Sequence, residues 1–280
     1  MSSGQSRLWF LDRLDPGNPA YNICAAYSLL GLLRPELLIE AFCQTIRRHE
    51  SLRTIFRVPG DQPRQYIREF TEDYMPRLYS WEDLSARYKD VNDFIHSEAT
   101  YRFDLSRDAL IHITIVRQKP QDFILIIAMH HIISDAWSLE VMLNEVITNY
   151  KGLLSDAPAG QTAALRFQYK DYSTWQSGLH DSDLWKKMKT FWLSKFSGTL
   201  PVLDLPVDMA RPSKRTNDGR SARYRFSSEY QKAILDIAGA GQNSAYTLLQ
   251  TLVYLFLHKL TGEGDIVIGV PVSGREHFVL

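Results

Sequence analysis

Phe123-Ile124-Leu125-Ile126-Ile127-Ala128-Met129-His130-His131-Ile132-Ile133-Ser134-Asp135 is the stretch on which the fold turns. Its first seven positions are apolar without a break. Successive strand residues point to opposite faces, so neither face is given to water, and the segment reads as a central strand with both sides of its sheet covered. Two histidines end it. Burying an imidazole is costly unless its nitrogens are paired. Adjacent strand residues cannot share one environment, so one histidine is read as structural while the other faces a channel. Asp135 stands where a helix begins, and its carboxylate can cap that helix or pair with an arginine. On spacing alone, two satisfied histidines and an N-cap aspartate explain the stretch as well as a functional site does.

Working outward, Leu110–Arg117 precedes this strand across the turn Gln118-Lys119-Pro120-Gln121-Asp122, and a helix capped by Ser134 or Asp135 follows it to about Leu154. Upstream, Ser3–Leu11 reads as a short helix stopped by Asp15-Pro16-Gly17-Asn18-Pro19, because two prolines and a glycine cannot continue it. Tyr21–Leu30 reads as a strand. Pro35 opens a helix through His49, with Leu37, Leu38, Ala41, Phe42 and Ile46 inward. Leu52–Val58 and Arg64–Arg68 read as a strand pair, and a helix follows near Val91–Tyr101. Ser155–Gln161 is the clearest break in the chain. Beyond it the pattern gives helices at Tyr169–Leu179, Asp183–Ser197, Glu229–Ala238 and Ala245–Leu260, and short strands at Arg223–Phe226 and Asp265–Val270.

At 280 residues the chain exceeds the usual single-core size, so two cores are expected. The expected division is a lobe over residues 1–160, a linker or helix over 161–185, and a second lobe over 186–280. With 32 basic and 32 acidic residues the formal net charge is zero, which argues against a nucleic-acid partner. Cys24 and Cys43 sit in apolar surroundings without His or Cys at ligand spacing, so they read as buried thiols and no metal is expected. No apolar run reaches membrane-spanning length, and the chain reads as cytoplasmic, with no membrane partner.

His130-His131-Ile132-Ile133-Ser134-Asp135-Ala136-Trp137-Ser138 resembles the His-His-x-x-x-Asp-Gly core motif of nonribosomal peptide synthetase condensation domains. Four further segments match that family in order. Ser2–Leu11 resembles its opening motif, with Gly4 where alanine is usual, and Arg48-His49-Glu50-Ser51-Leu52-Arg53-Thr54-Ile55-Phe56 matches the second motif throughout. Tyr169–Trp175 fits the fourth more loosely, and Ile268–Arg275 resembles a later glycine- and arginine-containing strand. Two departures stand out. Ala136 replaces the motif's glycine, adding a methyl that a helix start accommodates or that narrows the acyl channel. The family's remaining C-terminal motifs do not occur among these residues.

The resemblance implies an α/β fold, an α+β sandwich of two chloramphenicol-acetyltransferase-like lobes with the second incomplete. It implies condensation of a carrier-bound acyl or peptidyl thioester with the amine of a carrier-bound aminoacyl thioester. The partners implied are upstream and downstream peptidyl carrier protein domains and a neighbouring adenylation domain. Substrates come on 4'-phosphopantetheine arms, and the chain itself binds no cofactor. His131 is the implied catalytic residue, as a base, an orienting acceptor or a stabiliser of the tetrahedral intermediate. His130, Asp135, Ala136, Trp137 and Ser138 support it, with Trp137 placed in the channel wall or the core. Asp135 is expected to be salt-bridged, by Arg275 first and Arg53 second. Gln5, Arg7 and Asp171 read as structural.

Three other readings stay open. Epimerization domains share the core but call for serine before tryptophan, whereas here Trp137 precedes Ser138. Other acyltransferases of the same fold carry a His-rich core but are not expected to show both Arg48–Phe56 and Ile268–Arg275. An incompetent truncated fragment or carrier-docking module is the third. Within the condensation family, Arg48–Thr54 looks like the subtype that takes an L-configured donor.

Overall fold

A computed structural model describes residues 1–155, 164–210, 212–213, 219, 221–241 and 244–272. They divide into two compact units, Met1–Lys186 and Lys187–Val272. The first unit is built on a four-stranded sheet. β1 (Asn22–Leu30) and β5 (Ile111–Lys119) flank β6 (Asp122–His130), both antiparallel to it, and β4 (Arg77–Ser80) runs parallel to β5 at the edge. A separate hairpin pairs β2 (Thr54–Arg57) with β3 (Arg64–Ile67).

β6 is central, as its apolar run requires, and each of its faces has its own cover. Phe123, Leu125, Ile127 and Met129 join the larger core with Phe42, Ile46, Met142 and Val146. These last four come from α2 (Pro35–Arg48) and α5 (Ala136–Leu154). Ile126, on the other face, packs with Val116 and with Leu84 and Phe94. Those two belong to α3 (Trp81–Ser85) and α4 (Val91–Ala99). Pro35 starts α2, where its missing N–H costs nothing, and Leu38, Ala41, Phe42 and Ile46 then recur on one buried stripe. Asn149 of α5 donates to Thr45 Oγ1 at 3.1 Å, which satisfies a buried polar pair between the two helices.

α1 (Ser3–Leu14), α6 (Tyr169–Leu179) and the start of α7 (Asp183–Lys195) complete the first unit. α6 falls in the segment read as a linker or helix, at the helix expected there, and it is tied to the rest of the unit. Tyr169 Oη lies 3.0 Å from Ser2 Oγ, and Ser3 N donates to Gln176 Oε1 at 2.7 Å. The second unit contains α8 (Ser228–Ala240) and α9 (Ala245–Thr261).

Several elements differ from the sequence reading. Glu50–Arg53 is a 3-10 turn, so β2 starts only at Thr54. The β5–β6 turn shrinks to Pro120 and Gln121, because Lys119 and Asp122 still pair. β4 and α3 are additional; Ser80 caps α3 by accepting from Asp83 N. Arg223–Phe226 and Asp265–Val270 are not strands. A strand exists only through its ladder, and neither segment has a ladder partner among the described residues.

Ile127 is 1% exposed on the central strand. Ile127→Ala is expected to lower unfolding stability by about 2–5 kcal/mol in urea titrations. A loss under about 0.5 kcal/mol contradicts the central placement of β6.

Candidate active site

Immediately past β6 the chain reverses. His130 O accepts from Ile133 N at 3.2 Å, and His130 Nδ1 accepts from Ile132 N at 3.1 Å. A nitrogen that accepts carries no proton, so neutral His130 holds its hydrogen on Nε2. His130 is 3% exposed, and burial, with the neighbouring His131 adding to it, pushes its pKa down to about 4. His130 therefore serves as a neutral structural acceptor that shapes the turn. His131 has the opposite surroundings. Its backbone N–H is fixed on Tyr21 O at 2.8 Å, while the residue itself is exposed.

The loop is braced from α1. Ser2 caps α1 by accepting from Gln5 N, and Gln5 Oε1 in return accepts from Ser2 N at 3.0 Å. The amide of Gln5 has a second end: Nε2 donates to Ile132 O at 3.4 Å. A glutamate closes the same capping box but has no donor for that carbonyl. A Cβ added to Gly4, beside this cap, meets only Ser2 Oγ, at 3.8 Å, so the alanine usual there fits.

Asp135 caps α5. Its Oδ1 accepts from Ser138 N at 2.8 Å and from Ser138 Oγ at 2.6 Å. Ala136 is the first helical residue and is exposed, so the backbone there needs no glycine. Trp137 is 57% exposed and is not a core residue. Arg53, the second expected partner of Asp135, is directed elsewhere: its guanidinium donates to Ile46 O, Arg47 O and Arg68 O. Those three carbonyls fix the turn after α2 instead. Arg275, the first expected partner, lies outside the described residues. Arg7 Nε donates to Ser3 O within α1, and Asp171 caps α6 by accepting from Gln168 N at 2.8 Å, both structural placements.

A cavity of about 350 Å³ opens in the first unit at this loop. His131, Asp135 and Ser138 line it beside Gln5 and Leu8 of α1 and Phe167 and Tyr169 around the start of α6. Its third wall holds Arg48 and His49 of the second motif and Glu145, which the sequence pattern did not single out. There Glu145 Oε2 accepts from Arg48 Nη1 at 2.5 Å and lies 2.8 Å from His49 Nε2. The side chain of Glu145 is 9% exposed. Burial alone raises a carboxyl pKa, but here the hydrogen bond and electrostatic pull of the His49 imidazole, together with the Arg48 guanidinium, outweigh it and lower the value. Glu145 stays ionised. Its signal was periodicity: Asp135, Ser138, Met142 and Glu145 repeat at three or four residues and form one face of α5.

A central strand thus ends in a loop that sets a histidine at the wall of a helix-lined cavity. The chain belongs to the condensation domain family, whose model matches residues 1–278. It is 35% identical over 280 residues to a plipastatin synthase of Bacillus subtilis (strain 168), an alignment covering 99% of this chain and 7% of that one. The chain thus spans less than a tenth of that relative. A four-domain nonribosomal peptide synthetase bound to AMP and glycine superimposes with a TM-score of 0.81 at 22% identity, covering 99% of this chain and 20% of the other. The first condensation domain of the calcium-dependent antibiotic synthetase, in complex with a substrate analogue, gives 0.77 at 18% identity, covering 98% and 64%. These likenesses show the same fold. Condensation domains of nonribosomal peptide synthetases are amide-forming acyltransferases. Among the described residues, no helix is long and apolar enough to cross a membrane.

The depressed pKa of His130 has a consequence for stability. Above pH 6.5 both folded and unfolded states are neutral at this residue, and its full contribution is present. As pH falls from 6.5 toward about 4, the unfolded state takes the proton first and stability declines. The expected loss from this group is about 3 kcal/mol. His130→Asn should lack that part of the slope when unfolding is compared at pH 7 and pH 4. Equal slopes for both proteins contradict the assignment.

Proposed function

We propose that this chain forms the amide bond in nonribosomal peptide synthesis. The amine of a downstream aminoacyl thioester attacks the carbonyl of an upstream acyl or peptidyl thioester. Both arrive on 4'-phosphopantetheine arms of peptidyl carrier proteins, next to an adenylation domain, in the cytoplasm. The two lobes of the reading, residues 1–160 and 186–280 with 161–185 between, belong to the same proposal.

The observation that carries it is the split histidine pair. His130 takes the buried structural place, which leaves the exposed His131 on a clamped backbone at the cavity wall. A thioester is already activated, so no serine or cysteine nucleophile is needed. The nitrogen must lose a proton as the C–N bond forms and the C–S bond breaks, and the imidazole of His131 accepts it. Holding the acceptor there also fixes the angle of attack. Asp135 and Ser138 act indirectly, by starting α5 where the loop ends.

The test is product formation from carrier proteins loaded with donor and acceptor, read by mass spectrometry. His131→Ala is expected to lower the rate by roughly 10²–10⁴-fold. Undiminished product from that variant removes His131 from the chemistry. Carrier binding without product from any form supports the docking-module reading instead.

A further inference from the structure

We infer that His49, held by Glu145, is a second proton acceptor of the cavity and takes the first proton from the incoming ammonium group. This inference rests on the condensation reading above. His49 and His131 line the same cavity. Glu145 Oε2 only accepts, so the bond from His49 Nε2 requires the hydrogen on Nε2 and leaves the lone pair of the neutral ring on Nδ1. Nδ1 meets no hydrogen-bond partner among the described residues, and the side chain is 20% exposed. A carboxylate behind one ring nitrogen with the other open is the arrangement that fixes a tautomer for proton abstraction. Arg48, on the same carboxylate oxygen, holds Glu145 in place. The other ionisable groups around the cavity are His131, Asp135 and Tyr169. Glu50, bonded to Lys170, follows in the turn after His49.

The chemistry supplies the need. A free α-amine has a pKa near 8, so at neutral pH the acceptor arrives mostly as ammonium, without a lone pair. Two protons must leave the nitrogen. His49 Nδ1 takes the first and passes it to solvent. The neutral amine then attacks, the C–N bond forms, and His131 takes the second proton. The C–S bond breaks, and the donor arm's thiolate receives that proton to leave as a thiol. The nitrogen keeps its third hydrogen as the amide N–H.

The experiment compares the wild type and H49Q with loaded carriers across pH. It uses the natural amine acceptor and an aminooxy analogue that is neutral at pH 7. At pH 7, where about a tenth of the amine is already neutral, H49Q is expected to lose roughly tenfold in kcat with the acceptor KM kept. The deficit should shrink above pH 8 and vanish with the aminooxy acceptor. A deficit equal at every pH and for both acceptors, or no deficit, overturns the inference and leaves the condensation reading intact. A wild type without turnover overturns both. If H49Q does not fold, long-range 15N–1H spectra of the wild-type imidazole decide: the Nε2–H tautomer is expected, and an Nδ1–H tautomer overturns it.

Discussion

Burial of β6 on both faces is the constraint on which the rest of the first unit depends. A strand with no solvent face needs a pairing partner on each edge and an apolar layer on each side, and it obtains these from β1, β5, the α2–α5 pair and the α3–α4 pair. Such a strand cannot end gradually. The apolar run is interrupted after Met129 and rejoins the core only at Ile132 and Ile133, so the two histidines between must satisfy their polar groups at once. His130 does so by folding its ring nitrogen back onto Ile132 N, which turns the chain and sets His131 outside. The exposed placement of His131 is thus a by-product of how the core closes.

The second constraint is electrostatic. A carboxylate as buried as Glu145 is tolerable only with partners, and it has a guanidinium and an imidazole. Both partners come from the end of α2, so this buried charge also sets where α2 stops relative to α5. Gln168 continues the arrangement: its Nε2 donates to Arg48 O at 2.9 Å and its Oε1 accepts from Glu50 N at 3.1 Å. Packing and charge therefore meet along one wall of the cavity.

Much of this was legible in the residues. The unbroken apolar run placed β6 at the centre, strand alternation separated His130 from His131, and Asp135 was readable as a cap. The second-motif resemblance drew attention to Arg48 and His49 without giving them a function. What was not legible depends on distance along the chain. Gln5 reaches Ile132 across 127 residues and Arg48 reaches Glu145 across 97, and no local pattern reports such pairs. Arg53, the second-choice partner for Asp135 on guanidinium–carboxylate geometry, is held instead by the backbone carbonyls of Ile46, Arg47 and Arg68. β4, at four residues, is too short for periodicity to register. The two expected strands of the second unit had strand-like composition, but composition does not supply a ladder.

The shared face of α5 makes the helix a ruler. At 1.5 Å per residue, the ten steps from Asp135 to Glu145 span about 15 Å, with the cap at one end and the buried charge at the other. Side chains along that span can change while the spacing holds. One residue inserted or deleted within it rotates everything beyond by about 100° and carries Glu145 away from Arg48 and His49. The exposed positions of the segment therefore tolerate substitution, while the segment as a whole is intolerant of changes in length.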